Sequence, residues 1–452
     1  MLKVSVSGIR GVWGESLDHQ VVLDYLKSFA HFLGQNRKIA IGSDTRTTRS
    51  VIKYLIQSVF ESYGFEIIDL GIIPTPLVLF CVQEMDLDGG IVISASHNPA
   101  PWNALKLIKK GGFFLNQAEM TCVEEYYNNK DFIPLNYQNI GKTIQKENIL
   151  DEYFKKAEKM IDFDLIRKSG FKVSADAVNG TANQFLEKFF QILNIKHQVL
   201  FTDIHKEFER GAEPLPENLK ELGKTVLNNQ SDLGLAYDPD GDRLAIVDEK
   251  GFPIGEDWTL AIAYLNILQK EKTDIVVNLS TSMIIDEIAK KENTNVFKAK
   301  VGEINVTEEM LKRKIFFGGE GNGGVIYTRI NHCRDSIIAT LLILEYLAKN
   351  RIKISEIVSQ FPKIKIIKDK LVFTKKLDAR FLEEKIVDFI QKSGLSLRST
   401  DLNDGIRIDY ESGWIQVRAS NTEPIIRIMG ENKDHSINLK LSEYIKNVLS
   451  SL

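Results

Sequence analysis

Three stretches of this chain carry residues whose types and spacing suit phosphoryl chemistry. The first is Asp238-Pro239-Asp240-Gly241-Asp242-Arg243. Three carboxylates at alternating positions of one turn raise one another's pKa unless a cation sits among them. A calcium-binding EF-hand loop also starts with alternating Asp and ends on an acid, which here would be Glu249. It is excluded because Arg243 stands where that loop needs Gly and because strand-like runs, not helices, flank the turn. Mg²⁺ completed by water and a phosphate oxygen is the economical occupant, and a solvated acidic turn is the alternative. Arg243 either neutralises the loop or stabilises charge developing on a phosphoryl group. The second stretch, Ser94-Ala95-Ser96-His97-Asn98-Pro99, ends the apolar run Ile91-Val92-Ile93. Gly89 and Gly90 before it and Pro99 after it bound a short buried strand. Ser96 and His97 therefore sit at a strand's carboxyl end, where open α/β sheets put ligands, although such residues also simply close turns. The third, Arg418-Ala419-Ser420-Asn421-Thr422-Glu423-Pro424 with Arg427 beyond, lies between two strand-like runs. Its hydroxyls, amides and guanidinium suit a dianionic phosphate.

Two further stretches are weaker on their own. Ser7-Gly8-Ile9-Arg10-Gly11 reads as a glycine-flanked loop whose Arg10 could hold a phosphate or merely be solvated. Gly318-Gly319-Glu320-Gly321-Asn322-Gly323-Gly324 lacks the Lys-Ser/Thr of a P-loop and is not GxGxxG. Glu320 and Asn322 could accept from and donate to neighbouring sugar hydroxyls, and a flexible hinge is the other reading.

The elements that must position these residues follow from hydrophobic period. Lys3 to Ser7 reads as a strand, Val21 to Leu33 as a helix, Lys38 to Asp44 as a strand and Thr47 to Tyr63 as a helix capped by Thr47 or Thr48. Phe65 to Leu70, the Ser96 strand and Leu105 to Ile108 follow as strands, with a helix over 77–84. This alternation predicts an α/β fold with parallel sheets covered on both faces. The pattern recurs at Lys172 to Asp176 with a helix to Leu193, and at Asp274 to Ser280 with a helix to Lys291, so three related α/β/α units lie in series. The last segment predicts a small α+β unit: a strand near 366–373, a helix at 378–392, three short strands between 402 and 429, and a helix from Ser436. The junctions place the units at 1–150, 151–252, 253–364 and 365–452.

A length of 452 residues fits three or four domains at about 100 to 150 residues each. A net charge of −3 gives no reason to expect a nucleic acid or a membrane as partner. Cys81, Cys122 and Cys333 are few, scattered and without a CxxC, which fits a reducing cytoplasm. The N-terminus reads as a strand, not a signal peptide, and the apolar run Ser336 to Ala348 is too short for a bilayer and reads as a buried helix.

Taken in order, the five motifs resemble the α-D-phosphohexomutase family, which includes phosphoglucomutases, phosphomannomutases and phosphoglucosamine mutases. The resemblance spans the whole chain and implies three α/β units and a C-terminal α+β unit around a central cleft. It implies that Ser96 carries a phosphoryl group, that its phosphate and Asp238, Asp240 and Asp242 hold Mg²⁺, and that Arg10, His97, Lys106 and Arg243 assist transfer. It further implies that Gly302, in Val301-Gly302-Glu303, sees the sugar, and that Glu320 and Asn322 contact its 3- and 4-hydroxyls. Arg418, Ser420, Asn421, Thr422 and Arg427 would grip the phosphate that is not reacting. The implied activity interconverts hexose 1- and 6-phosphates, with a hexose 1,6-bisphosphate as intermediate and activator, in a cytoplasmic monomer or homodimer. The branch it resembles most favours glucosamine phosphate, with mannose and glucose phosphates as secondary substrates. A phosphatase, with water attacking phospho-Ser96, and a sugar-phosphate-binding regulator are the rival readings. Two positions depart from the family pattern. Ala104 replaces a Gly before Lys106, and Gly324 stands where many members carry a His, so a proton-transfer role there has no side chain.

Overall fold

The structure is a computed structural model that describes residues 2–35, 37–130, 136–373, 378–419 and 425–451. Among the described residues, twenty-one strands form four sheets. In the first unit they are β1 (Lys3–Ser5), β2 (Gly8–Val12), β3 (Lys38–Ser43), β4 (Glu66–Ile72), β5 (Gly89–Ile93), β6 (Trp102–Lys109), β7 (Phe113–Phe114) and β8 (Lys142–Gln145). The second unit holds β9 (Lys172–Asp176), β10 (Lys196–Leu200), β11 (Leu233–Tyr237) and β12 (Leu244–Val247), and the third holds β13 (Ile275–Asn278), β14 (Val296–Ala299), β15 (Phe317–Glu320) and β16 (Gly324–Tyr327). The fourth is β17 (Lys365–Val372), β18 (Leu397–Asp401), β19 (Ile406–Tyr410), β20 (Gly413–Ala419) and β21 (Ile425–Asn432).

The predicted repeat is visible in the strand order. The second sheet runs β10-β9-β11-β12 and the third β14-β13-β15-β16, while the first contains the same motif as β4-β3-β5-β6. In each, the first three strands are parallel and the fourth is antiparallel. The sheets are therefore mixed: the parallel-type core that the alternation predicts carries one antiparallel strand at its side. Segments 94–101, 238–243 and 321–323 join the third strand to the fourth in their units. Parallel strands need a crossover of about a dozen residues or more, so connections this short return antiparallel. The serine, aspartate and glycine-rich loops thus occupy one topological position in three repeats, at the carboxyl end of the third strand.

Two expectations change. Gly8–Val12 is not a loop but β2, paired antiparallel with β1 and β6, and Arg10 lies opposite Ala104. The fourth unit has four strands after β17, not three, in one antiparallel sheet with helices Ala379–Lys392 and His435–Ser450.

One continuous apolar core runs through the first three units, from Phe80 and Tyr153 through Tyr237 to helix Ser336–Asn350. That helix is buried along nearly all its length, and Asp335 caps it by accepting from the amides of Ile337 (2.9 Å) and Ile338 (3.2 Å). Ser336 Oγ donates to Gly241 O at 2.6 Å, so the helix start also fixes the aspartate loop. The fourth unit keeps its own core around Ile386, Ile408 and Ile445. It meets the third through polar contacts, among them Ser282 Oγ donating to Glu431 Oε1 and Ser280 Oγ to Gln416 Oε1, both at 2.6 Å. Polar interfaces of this kind permit relative motion of domains.

Candidate active site

The serine and aspartate loops meet where the first and second units abut. Ser96 Oγ donates to Asp238 Oδ2 at 3.2 Å, and Thr75 on the first unit donates by Oγ1 to Asp240 Oδ2 (2.7 Å) and by its amide to Asp240 O (2.8 Å). Lys106, on the antiparallel strand β6, reaches Asp240 Oδ2 at 2.5 Å and Asp242 Oδ2 at 3.7 Å. Ala104 has therefore not shortened its reach.

Asp238, Asp240 and Asp242 are fully buried, and one oxygen of each lies within 4.8 Å of the others. Asp240 Oδ1 and Asp242 Oδ1 are buried without a hydrogen-bond partner. Two orphaned carboxylate oxygens beside a third carboxylate are what a hard divalent cation needs, so the triad can hold a metal ion. The electrostatics agree. Burial, reinforced by Asp242 and Asp240, lifts the Asp238 carboxyl well above the usual range. Burial would lift Asp240 too, but Lys106 and Thr75 outweigh it and hold that carboxyl far below its ordinary value. Lys106 is shifted upward because Asp240 and Asp242 outweigh its own burial. Glu249, by contrast, lies outside the triad and accepts from Ser355 Oγ at 2.5 Å, which disposes of the EF-hand alternative.

His97 Nδ1 lies 3.4 Å from Ser96 Oγ, and burial together with Arg243, Arg10 and Arg334 pushes its pKa well below 6.5, so the imidazole is neutral at physiological pH. Arg10 donates to Asn98 Oδ1 at 2.6 Å. Arg243 contacts Glu213 Oε1 at 3.3 Å and lies 3.7 Å from Asp242 Oδ1, with a buried Nε that has no hydrogen-bond partner.

The residues expected to read a sugar differ from the picture of an open loop. Glu320 ends β15, only 3% exposed, and Arg334 Nη1 (2.7 Å), Asn278 Nδ2 (2.7 Å) and the Gly302 amide (3.1 Å) donate to its carboxylate. Gly302 thus faces Glu320 and begins helix Glu303–Arg313. Asn322 Nδ2 stands 3.5 Å from Glu320 Oε2, and its Oδ1 is buried with no partner. Arg418 and Arg427 are cross-strand neighbours on β20 and β21. Burial lowers the Arg418 pKa against the charge of Asp404, and neighbouring Arg427 lowers it too. Ser420, Asn421 and Thr422 lie outside the described residues.

Sequence reasoning missed Arg334. Its Nη2 donates to Asp242 Oδ2 at 2.6 Å, its Nη1 to Glu320, and its Nε lies 3.3 Å from Glu303 Oε2, so one guanidinium ties the aspartate loop to two carboxylates of the third unit. A Cβ on Gly324 would come within 2.2 Å of Arg334 Cδ. The Arg334 stem thus fills the space that a side chain at 324 would need, and the expected gap there is a close approach. His332 has a packing role: it stacks on Phe113 with ring centroids 4.2 Å apart and contacts Gly111 O. The available signal for Arg334 was the charged pair Arg334-Asp335 at the threshold of a largely apolar buried helix.

Comparison with known proteins matches all four units. Residues 1–134, 151–251 and 256–364 match the phosphoglucomutase/phosphomannomutase alpha/beta/alpha domains I, II and III, and residues 369–448 match the C-terminal domain of that family. A phosphoglucomutase/phosphomannomutase of Thermococcus kodakarensis is 33% identical, with 97% of this chain and 96% of the relative covered. A phosphoglucosamine mutase of Methanocaldococcus jannaschii is 31% identical, with 92% and 93% covered. The crystal structure of a phosphoglucomutase/phosphomannomutase family protein from Burkholderia thailandensis superposes with a TM-score of 0.81 at 21% identity, covering 99% of this chain and 96% of that one.

Proposed function

We infer the activity from one premise: the chain belongs to the phosphoglucomutase/phosphomannomutase family. It is a phosphohexose mutase that interconverts hexose 1- and 6-phosphates through a phosphorylated Ser96 and a hexose 1,6-bisphosphate. The observation that carries this reading is the contact of Ser96 Oγ with Asp238 beside the two orphaned oxygens of Asp240 and Asp242.

In the first step the free hydroxyl of the sugar phosphate attacks the phosphoryl group on Ser96. A bond from phosphorus to the sugar oxygen forms, the bond from phosphorus to Ser96 Oγ breaks, the hydroxyl proton passes to a base, and a proton is returned to Ser96 Oγ, which leaves as the neutral hydroxyl. Neutral His97 beside Ser96 can accept the sugar hydroxyl's proton. Arg10, Arg243 and Lys106 supply fixed positive charge where negative charge spreads over the transferring group. Mg²⁺ held by Asp238, Asp240, Asp242 and a phosphoserine oxygen would neutralise charge on the phosphoryl group. Arg418, Arg427 and the segment Ser420-Asn421-Thr422 hold the other phosphate, so the bisphosphate can return with either end toward Ser96. Glu320, Asn322 and the Gly302 turn read the sugar, whose hydroxyls would donate to Glu320 in competition with the protein donors that now satisfy it.

The preferred substrate is glucosamine phosphate. Mannose and glucose phosphates should also turn over, because a site that tolerates variation at C2 discriminates by only about 1 to 3 kcal/mol. Relatives named for each chemistry are similar to this chain. The enzyme works in the cytoplasm as a monomer or homodimer, without nucleic-acid or membrane partners. No helix among the described residues is long and apolar enough to cross a membrane. Incubation with a hexose 1-phosphate, Mg²⁺ and a trace of bisphosphate tests the reaction type. Hexose 6-phosphate supports the mutase, whereas free phosphate or no product refutes it. A kcat/KM for mannose or glucose phosphate tenfold or more above that for glucosamine phosphate would overturn the substrate assignment alone.

A further inference from the structure

Ser96 has a backbone φ of 50°, the left-handed region that a residue with a Cβ adopts only where its surroundings hold it. The Ser96 amide donates to Ser94 Oγ at 2.9 Å, and a side chain behind the loop, Arg46, only 3% exposed, holds the carbonyl side. Arg46 Nη2 donates to the carbonyl oxygens of Ser96 and Asn98, and Nη1 to that of Pro99, each at 2.7 Å. Its Nε donates to Asp44 Oδ2 at 2.9 Å, so the charge that grips the loop is itself fixed by a buried partner. The second unit closes over this arrangement. The Phe208 ring centroid lies 4.9 Å from Arg46 Cζ, and Thr45 Oγ1 donates to Asn179 O at 2.8 Å.

We propose that Arg46 is a positioning residue for phosphoryl transfer, which draws the carbonyls of Ser96, Asn98 and Pro99 to the rear of the serine loop and so fixes Ser96 Oγ toward Asp238. It turns three electron-rich oxygens away from a dianionic phosphoryl group and leaves the serine side of the loop facing the aspartates. A lysine could not do the same, since a single ammonium lacks the planar fork that spans three carbonyls and a carboxylate. The role in transfer rests on the reading of Ser96 as the phosphoryl carrier, and the grip on the loop does not.

The test compares wild type with Arg46→Lys, which keeps the charge, and with the neutral pair Asp44→Asn/Arg46→Met, which avoids a stranded carboxylate. Each protein is loaded with hexose 1,6-bisphosphate, and the phosphate on Ser96 is followed in a single turnover with hexose monophosphate. Hydrogen exchange is measured over 94–102, and hexose-phosphate binding by calorimetry. Expected are a transfer rate slowed by about a hundredfold, as a displacement near 1 Å brings, exchange in the loop faster by about tenfold, and a dissociation constant within about twofold of wild type. Wild-type transfer by a folded Arg46→Lys protein, or unchanged loop exchange, overturns the proposal. So does a loss of binding in step with rate and melting temperature, which marks general destabilisation. If wild type itself never carries phosphate on Ser96, the proposed function falls and the transfer role with it, while the exchange data still decide whether Arg46 holds the loop.

Discussion

Replacing Arg334 by Met removes the one guanidinium that faces Asp242, Glu303 and Glu320 at 2.6 to 3.3 Å. With charge centres roughly 4 Å apart and an effective dielectric near 20, each pair is worth about 4 kcal/mol before desolvation. The net cost of removing one partner of a buried pair is about 3 to 5 kcal/mol, and three stranded carboxylates place this variant at the upper end. Burial, opposed by Arg334 and aided by Asp242, already lifts the Glu303 carboxyl to about 7. Without Arg334 it rises further. The folded variant then binds more protons than its unfolded chain through pH 7 to 9, so its stability falls with rising pH more steeply than that of wild type. Urea unfolding followed by circular dichroism should show a deficit of about 5 kcal/mol at pH 8 and about 1 kcal/mol less at pH 6, where Glu303 has taken up its proton. Arg334→Lys, which keeps one contact, should fall between. A Met variant within about 1 kcal/mol of wild type at pH 8, or with a wild-type pH slope, would refute the view that Arg334 ties the two loops together.

Because burial and its two neighbours keep Asp238 protonated well above the ordinary range, cation binding must expel that proton. Mg²⁺ affinity should therefore tighten with pH, by at most about tenfold per unit. Calorimetry in buffers of different ionisation heat should show proton release that Asp238→Asn abolishes. Burial and nearby Glu431 push Asp257 up to about 8, so between about pH 4 and 8 the folded state binds more protons than the unfolded one and this group weakens stability as pH rises. Asp257→Asn should flatten the pH dependence of the melting temperature over that window, and an unchanged slope would contradict the assignment. Arg418→Ala should raise KM by the loss of a charge-assisted contact worth about 1.5 to 3 kcal/mol, while a bisphosphate can still phosphorylate Ser96. An unchanged KM would remove Arg418 from phosphate binding.

Much of the architecture was legible because it is written in local pattern. The strand-turn-helix period recurs three times, and the helix at Ser336–Asn350 is apolar enough to be read as buried. The antiparallel fourth strands were legible too, in the short spacers after Ile93, Tyr237 and Glu320, but alternation suggested parallel sheets and outweighed them. The two glycines around Arg10 read as a loop because glycine weakens a strand, yet pairing with β1 and β6 on both sides overrides that tendency. The aspartate triad could be found by its spacing alone. Arg46 and Arg334 could not, since most of their partners lie far along the chain, in other loops and in part on other units. The close approach of Arg334 to Gly324 exists only once the chain is folded.

The most direct test of the central claim is the phosphorylation state of Ser96. Wild type treated with hexose 1,6-bisphosphate, then analysed by intact mass and peptide mapping, should gain one phosphoryl group on the peptide containing Ser96. It should lose that group when hexose monophosphate and Mg²⁺ are added, as bisphosphate forms. Phosphate found only on another residue, or full mutase activity in Ser96→Ala, would contradict the account.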